Sequence, residues 1–324
     1  MMMSEPMQPA TLRGTLTEHE PMARHVTWRA GGAARYAFHP ADAEDLLAFF
    51  HAQPALLEAF PPLFVGLGSN LLVRDGGVEA TAIFTHPGLQ QLSVADDERD
   101  AVTIVAGAGV AAPKLARFAA NLALEGAEFL AGVPGTVGGA LMMNAGCYGS
   151  ETWEHVTAVD VVQWVDGAMR VSSRGRAEFD VGYRHVAAHF GTLGVGSFFL
   201  GGRFRFRRGD GQRSRERIRE LLARRVATQP LQLPNAGSVF RNPPGDHAAR
   251  LIELCGLKGY AIGGAHVSDK HANFIVNPAG GGTADDIERL IAHVRSVVAE
   301  RTGVMLEPEV RIVGERKVGA GVAR

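Results

Sequence analysis

Three polar side chains occur at positions where the surrounding sequence does not explain them by a structural role. Ser238 lies in PNAGSVFRNP, where turn chemistry explains the residues before it and a short strand explains those after it. Arg184 ends the motif GYR beside an apolar run, where a guanidinium can bind a carboxylate through two N–H groups. Glu309 lies in LEPEVRIVG, on the same predicted strand face as Arg311. Taken singly, each has an ordinary reading: a turn hydroxyl bonded to backbone, a surface arginine, and a surface ion pair with Arg311.

Two uncharged glycine-rich segments allow a backbone to approach a ligand closely. In the first, FVGLGSNLLV, small residues after a strand can turn several N–H groups inward as an anion-binding nest, with two side-chain donors added. No lysine follows, so this is not a P-loop. In the second, GVPGTVGGALMMNAGCYG, glycines remove side chains from an apolar wall while Thr136 and Asn144 supply polar contacts. Together the two segments suit a diphosphate that carries a large flat ring system; a surface turn and a structural loop are the alternatives.

The composition is that of an ordinary globular protein. The 324 residues leave room for two or three domains with a large core, and 46% are apolar while 21% are charged. A net charge of −1 argues against a protein that binds nucleic acid by releasing counterions. Cys147 and Cys255 stand alone, which predicts a reducing compartment, the cytoplasm, and no disulfide framework. The twelve histidines show no metal-ligand spacing, so no metal site is predicted.

No membrane partner is predicted either. Residues 129–150 carry no charge and include a GxxxG pair, as in membrane helix dimers. Pro134, Asn144 and six glycines would, however, leave too much backbone unsatisfied in lipid. The first residues lack the apolar stretch of a signal peptide.

Helical and strand patterns are mixed along the chain, which predicts an α+β fold. Helices are expected over residues 41–52, 112–124, 213–227 and 248–255, and a last one follows the capping-box start at Thr283 and ends at Gly303. Strands are expected in LFVGLG, VTIVAGAG, TAVDVVQWVDG, FFLGGRFRF and EPEVRIVG, with Asp166-Gly167 as a hairpin turn. GAGVAA after VTIV outlines a dinucleotide-binding turn, but a plain strand-to-helix turn fits better because no second parallel strand follows.

Six motifs together resemble those of the UDP-N-acetylenolpyruvoylglucosamine reductases of peptidoglycan synthesis. They are VGLGSNLLVRDGG, GVPGTVGGALMMNAG, GYR, PNAGSVFRNP, GGAHVSDKHANFIVN and LEPEVRIVG, in the same order and over roughly residues 20–315. Six ordered motifs are far more specific than any one of them. The resemblance implies NADPH-dependent, FAD-mediated reduction of the enolpyruvyl group of UDP-N-acetylglucosamine enolpyruvate to UDP-N-acetylmuramate.

The resemblance also implies an α+β architecture: an FAD-binding fold of the vanillyl-alcohol-oxidase type beside a C-terminal substrate-binding domain. We place the FAD-binding region at 20–208, with subdomains at about 20–85 and 86–208, and the substrate-binding domain at 209–315. Residues 1–19 would form a loose N-terminus and residues 316–324 a tail. We expect a monomer whose partners are NADPH and the UDP-sugar.

Site residues follow from the same resemblance. The family's catalytic positions fall on Arg184, Ser238 and Glu309. The implied FAD contacts are Gly66, Leu67, Gly68, Ser69, Asn70, Pro134, Gly135, Thr136, Gly138, Gly139, Asn144, Ala145 and Gly146. Candidates for substrate binding are Tyr183, Arg225, Gln229, Asn242 and His271.

The implied chemistry explains why a hydroxyl group would be needed at Ser238. NADPH would reduce FAD and leave before the sugar nucleotide binds, and hydride transfer to C3 would build negative charge at C2 and its carboxylate. Arg184 can bind that carboxylate and Glu309 can share the charge. Ser238 can then protonate C2, because a dianionic enolate is a strong enough base to take a proton from an alcohol.

Two departures and two rival functions accompany this interpretation. The chain lacks a tyrosine-bearing insertion that covers the substrate in some members and so resembles the shorter class, and Cys147 stands where a small residue is usual. Another flavin oxidoreductase on the same scaffold is one alternative, against which GSVFRNP and EPEV argue. A non-catalytic nucleotide-binding protein is the other; it would be favoured by a colourless protein that takes up no FAD.

Overall fold

The computed structural model describes residues 12–165 and 168–317, and it is α+β, as expected. Its α-helices are α1 (Ala43–Ala52), α2 (Pro54–Ala59), α3 (Ala112–Asn121), α4 (Val137–Met143), α5 (Gly211–Thr228), α6 (Ala248–Leu254) and α7 (Ala284–Thr302). Its strands are β1 (Thr15–Pro21), β2 (Ala33–His39), β3 (Pro62–Val65), β4 (Leu71–Val73), β5 (Val78–Phe84), β6 (Leu92–Asp97), β7 (Ala101–Gly107), β8 (Leu124–Glu125), β9 (Gly146–Cys147), β10 (Ser150–Glu151), β11 (Val156–Val165), β12 (Ala168–Gly175), β13 (Phe179–Gly182), β14 (His185–Ala188), β15 (Ser197–Arg208), β16 (Ala261–Ile262), β17 (Ala265–Val267), β18 (Ile275–Val276) and β19 (Arg311–Val313). Within the described ranges no helix is long and apolar enough to cross a membrane.

The first sheet has the strand order β1-β2-β5-β3 and leads into the first glycine segment. Strands β2 and β3 both run parallel to β5, while β1 is antiparallel to β2. Helix α1 begins after Asp42, whose carboxylate accepts the N–H of Asp45. The ring of Phe49 on α1 stacks on that of Phe38 on β2 at a centroid distance of 4.0 Å. The chain leaves β3 at Val65 and enters the loop Gly66–Asn70, which we call the first glycine loop.

The second sheet is antiparallel, with the order β12-β11-β15-β7-β6 and β8 paired to β15. Helices α3 and α5 pack together beside it, and Ile218 and Leu222 of α5 pack in the same core as Leu115 of α3. Ser214 ties the start of α5 to this region by donating to the carbonyl of Leu124 at 3.0 Å. Because β7 pairs antiparallel with both neighbours, the glycine turn that follows it opens no βαβ dinucleotide unit. The hairpin turn expected at Asp166-Gly167 lies outside the described residues.

The C-terminal part packs α6 and α7 against the small sheet β16-β17-β18. Helix α7 has the predicted capping box between Thr283 and Asp286, and it ends at Gly303 with φ +73°. Its predicted apolar stripe is buried: Ile287, Leu290, Ile291, Val294 and Val298. Trp28 enters the same core from the other end of the chain and donates its indole N–H to the carbonyl of Ile275 at 2.8 Å. Strand β19 pairs parallel with β4 and joins this part to the first glycine loop.

Two elements differ from the sequence expectation. The strand in EPEVRIVG is confined to Arg311–Val313, because the residues before it bridge the PNAGSVFRNP segment instead. Helix α4 lies inside the glycine-rich segment that was expected to be a loop. Thr136 caps this helix, and a Cβ at Gly138 would lie 2.9 Å from the Cβ of Ala108. Gly138 weakens the helix locally, but its lack of a side chain allows the helix to pack closely against the segment that contains Ala108.

Candidate active site

A cleft with a volume of about 330 Å³ lies where the two sheets meet the C-terminal part. Its walls include the first glycine loop and most of residues 132–147, a range that we call the second glycine segment. Arg184, Ser238 and Glu309 line the same cleft. Residues that stand far apart in the sequence are thus brought to one place.

The first glycine loop presents unused backbone donors to this cleft. None of the five N–H groups of Gly66–Asn70 donates to another residue of the described chain, although the carbonyls of Gly68 and Asn70 accept from Thr27 and Arg311. A run of backbone N–H groups without a protein partner can form a nest for an anion. The loop therefore fits a phosphate or diphosphate group.

The two side chains expected to add donors to that nest are used within the protein. Ser69 donates to the carbonyl of Pro134 at 3.0 Å, and Asn70 donates to the carbonyl of Glu309 at 3.2 Å. A Cβ added at Gly66 would overlap the hydroxyl of Thr136. These contacts hold the first glycine loop against the second glycine segment and the C-terminal part, so binding by the loop falls to its backbone.

The second glycine segment supplies a wall with few side chains. Pro134, Gly135, Thr136, Gly138, Gly139, Ala145 and Gly146 all line the cleft. Among the described residues, leaving aside its chain neighbours and the backbone of its own helix, the nearest atom to a Cβ at Gly139 is the Thr136 hydroxyl at 4.0 Å, so the absence of a side chain there leaves room inside the cleft. With the apolar side chains of Met142 and Phe199 on the same walls, this space suits a large flat ring.

Asn144 does not occupy the position expected of it. The residue is 2% exposed and is absent from the lining of the cleft. Its side-chain N–H₂ group donates to Glu151 and to the carbonyl of Gly182, and its oxygen accepts from the N–H of Trp153. The helix ends at Asn144 with φ +41°, which turns the amide into the protein instead of toward the cleft.

Ser238 is held at the cleft by the turn before it and the bridge after it. The side chain of Asn235 accepts from the N–H of Gly237, whose φ of +74° favours glycine. Phe240 then bridges Pro308, and its N–H donates to the side chain of Asn273. Among the residues that the structure describes, no hydrogen bond to the Ser238 hydroxyl is found, so it is not a turn hydroxyl bonded to backbone.

Glu309 reaches the same place because its segment pairs with that of Ser238. The N–H of Glu309 donates to the carbonyl of Val239 at 2.7 Å. Its carboxylate pairs with Arg184, so the surface ion pair with Arg311 does not form. Burial raises the pKa of Glu309, although the charge of Arg184 and that of Arg241 both oppose the rise.

Arg184 projects from the tip of the β13–β14 hairpin, where it has a φ of +52°. Its Nη1 donates to the carbonyl of Asn144 at 3.2 Å, and its Nη2 donates to that of Gly146 at 2.7 Å. Its Nε lies 3.1 Å from Oε1 of Glu309 without pointing its hydrogen at that oxygen. Three of the five N–H groups of the guanidinium thus lack a directed partner within the described chain.

Two of the five substrate-binding candidates line the cleft. They are Arg225 and Gln229, which are joined by a bond of 3.0 Å from Nε to Oε1. Burial lowers the pKa of the Arg225 guanidinium, while its fork remains partly free to bind an anion. An anion beside it would restore favourable pairing.

The other three candidates lie outside the lining. The side chain of Asn242 accepts from the N–H of Ala248 at the start of α6. His271 accepts from the N–H of Asn273, and burial lowers its pKa. Tyr183 is about half exposed, and its ring faces the guanidinium of Arg184 at 5.1 Å. Contacts of these residues with a substrate remain predictions.

Some lining residues are not among the contacts that the sequence predicts. Arg311 and Phe274 line the cleft, and so does Cys147, whose thiol pKa burial raises to about 11. A signal for Arg311 was present, because strand alternation puts it on the face of Glu309. That pattern predicts an ion pair between Glu309 and Arg311, which is the commoner arrangement of two such residues.

Comparison with known proteins agrees with both halves of this site. A family described as UDP-N-acetylenolpyruvoylglucosamine reductase, C-terminal domain, matches residues 229–313, and an FAD binding domain family matches residues 34–173. The expected FAD-binding fold with a separate C-terminal α+β domain is thereby confirmed.

Whole-chain relatives carry the same name. A UDP-N-acetylenolpyruvoylglucosamine reductase of Thiobacillus denitrificans is 56% identical over 315 residues, which cover 94% of each chain. That of Nitrosomonas eutropha is 52% identical and covers 94% of this chain and 91% of its own. The crystal structure of the Thermus caldophilus enzyme superposes with a TM-score of 0.71 at 31% identity, covering 93% of this chain and 99% of that one. This chain therefore belongs to the UDP-N-acetylenolpyruvoylglucosamine reductase family.

Proposed function

We propose that this protein reduces the enolpyruvyl group of UDP-N-acetylglucosamine enolpyruvate to give UDP-N-acetylmuramate, with FAD as cofactor and NADPH as reductant. The observation that carries the proposal is the meeting of Arg184, Ser238 and Glu309 in a cleft that also holds the first glycine loop. Family membership over nearly the whole chain supports the same reaction.

The cleft fits the cofactor. The five free N–H groups of Gly66–Asn70 suit its diphosphate, and the wall around Gly139 leaves room for its ring system. Bound there, FAD would supply hydride transfer from NADPH to C3 of the enolpyruvyl group. We assign the cofactor contacts to the lining residues Gly66, Leu67, Gly68, Ser69, Asn70, Pro134, Gly135, Thr136, Gly138, Gly139, Ala145 and Gly146.

Arg184 binds the carboxylate of the enolpyruvyl group. Its anchors, the carbonyls of Asn144 and Gly146, fix the guanidinium while leaving N–H groups for a forked contact. Because negative charge grows on that carboxylate as the enolate forms, the contact strengthens toward the transition state.

Glu309 donates a hydrogen bond to the same developing charge. Its raised pKa means that the site disfavours a second negative charge at this position. A neutral carboxyl is a hydrogen-bond donor, whereas an ionised one only accepts. In this proposal Glu309 acts in its protonated form, in which it would donate a hydrogen bond to the developing charge.

Ser238 protonates C2. Its hydroxyl lines the cleft and forms no hydrogen bond to another described residue that would turn it away. A serine is neutral before it acts, so it adds no negative charge beside the substrate carboxylate. The enolate is basic enough to take its proton.

The substrate diphosphate extends toward Arg225 and Gln229. Arg225 is the cation in this wall whose charge burial disfavours, so an anion beside it is stabilised. Tyr183, Asn242 and His271 lie outside the lining of the cleft, and their contacts with the substrate remain part of the proposal.

We further propose that the enzyme works as a monomer in the cytoplasm, because the cleft brings Arg184, Ser238 and Glu309 together without a second copy and the two free cysteines suit a reducing compartment. Light scattering during size-exclusion chromatography of the holoprotein tests the first point, and a dimer would contradict it. Fractionation of cells that produce the protein tests the second.

A two-step anaerobic experiment tests the function. Purified protein should be yellow; NADPH should bleach the flavin absorbance, and the enolpyruvyl sugar nucleotide should restore it. Formation of UDP-N-acetylmuramate is followed by mass spectrometry. A protein that is bleached by NADPH but restored only by oxygen would favour another flavin oxidoreductase, and a colourless protein that takes up no FAD would favour a non-catalytic binder.

A further inference from the structure

We infer that Asn144 is a positioning residue for Arg184 and not a contact of the cofactor. The inference rests on the proposed function, which gives Arg184 its task of binding the substrate carboxylate. The sequence alone suggested the opposite role, that of a polar group in the cofactor wall.

The side chain of Asn144 is fully engaged inside the protein. Its Nδ2 lies 2.7 Å from Oε2 of Glu151 and 3.0 Å from the carbonyl oxygen of Gly182. Its Oδ1 accepts from the N–H of Trp153 at 3.0 Å. Both donors and the acceptor of the amide are therefore satisfied without a ligand, in a residue that is 2% exposed.

These bonds hold the hairpin that carries Arg184. Gly182 is the last residue of β13 and pairs with His185 across the two-residue turn that contains Arg184. The side chain of Asn144 fixes the base of that turn. The backbone carbonyl of Asn144 accepts from Nη1 of Arg184. One residue thus holds both the start of the turn and the guanidinium at its tip.

The backbone of Asn144 makes the double contact possible. Its φ of +41° reverses the chain at the end of α4, which points the side chain into the protein and leaves the carbonyl facing Arg184. Asparagine tolerates this conformation, and glycine adopts it without a steric penalty. Asn144→Gly therefore deletes the amide while it leaves the turn and the carbonyl.

The test compares the two half-reactions of holoprotein carrying Asn144→Gly. We expect restoration of the flavin absorbance by saturating sugar nucleotide to slow by about 10²-fold, the effect of misplacing a reacting group by roughly 1 Å. Bleaching by NADPH and the dissociation constant of FAD should stay within about threefold, under 1 kcal/mol. A loss of FAD affinity with slowing of both half-reactions would show a cofactor contact and overturn the inference.

Asn277→Gly is the matched control. Asn277 is also buried and donates to two carbonyls, those of Trp28 and Gly282, while it accepts from the N–H of Gly282. It does not line the cleft. Loss of the Asn277 amide should lower the thermal midpoint of unfolding about as much as Asn144→Gly does, without slowing one half-reaction more than the other. Equal slowing of the sugar half-reaction in both variants would overturn the inference.

A second variant covers the case in which Asn144→Gly fails to fold. Glu151→Ala removes one partner of Asn144 and leaves its bond to Gly182, so we expect the same selective slowing at a smaller size, about tenfold. Unchanged restoration rates would overturn the inference. Failure of the proposed function would show differently, because the unmodified protein would then not be restored by the sugar nucleotide at all.

Discussion

Nε of Arg184 lies 3.1 Å from Oε1 of Glu309, and this ion pair joins the β13–β14 hairpin to the segment before β19. The N–H does not point at the carboxylate, so the guanidinium keeps donors for a ligand. Burial raises the pKa of Glu309 in spite of this neighbour. The pair therefore holds both side chains in place before negative charge develops on the substrate.

Replacement of Ser238 by alanine should separate the two half-reactions. Restoration of the flavin absorbance by the sugar nucleotide is expected to slow by roughly 10²–10⁴-fold, the range for a lost general acid. Bleaching by NADPH should be nearly untouched, because no proton from Ser238 is needed there. Anaerobic stopped-flow absorbance measures both rates, and equal slowing of both, or of neither, would rule out the assignment.

Arg184→Lys should show that charge alone is not enough. A single ammonium cannot bind the carbonyls of Asn144 and Gly146 and also form a fork on the substrate carboxylate. We expect the sugar half-reaction to slow by about 10²-fold. Arg174→Lys is the control, because Arg174 also makes three side-chain contacts but lies away from the cleft. Full activity of Arg184→Lys in single-turnover assays would contradict the forked contact.

Glu309→Gln should stabilise the cofactor-free protein at high pH. Burial raises the pKa of Glu309 above its ordinary 4.5, so the folded state holds this proton more tightly than the unfolded state. The resulting stability is present below about pH 4.5 and is lost as pH rises through the raised pKa. Glutamine does not ionise. The variant should therefore be more stable to unfolding, relative to the parent protein, only at pH values above the raised pKa. Urea unfolding of both proteins at about pH 4 and pH 8 measures this, and a pH-independent difference would refute it.

Gly66→Ala should weaken FAD binding. The new methyl group would overlap the Thr136 hydroxyl and push the first glycine loop away from α4. Overpacking of this kind costs about 1–3 kcal/mol, so FAD affinity should fall by about tenfold or more. Gly196→Ala is the control, because no atom of the described residues beyond its chain neighbours lies within 4 Å of a Cβ added there. Equal FAD titration curves for the two variants would show that the close approach does not matter.

Much of the local structure was predictable from short-range patterns. Helix α7 has the capping box at Thr283, the buried stripe and the terminal Gly303 that its sequence indicates. The types of the three catalytic candidates were also recognisable, because their motifs occur in a fixed order. Helix α4 was missed, since its glycines lower helix propensity and only packing on Ala108 explains them.

Partners between distant segments were predictable only in part. Strand alternation favoured an ion pair between Glu309 and Arg311, but the structure pairs Glu309 with Arg184. Asn144 was expected in the cofactor wall, whereas its amide holds the hairpin below Arg184. Nothing in the local sequence places Trp28 in the core of the C-terminal part.

The sequence by itself therefore determined most of the elements, the two glycine segments and the chemical types of the reacting groups. Turn preferences and hydrophobic periods act over a few residues, and those are visible in the order of letters. Only the tertiary structure decided which side chains meet, because that depends on how two sheets and a C-terminal part close around one cleft. The segments of Ser238 and Glu309 became neighbours through two backbone bonds, from the N–H of Glu309 to the carbonyl of Val239 and from the N–H of Arg241 to that of Glu307, which no spacing in the chain could reveal.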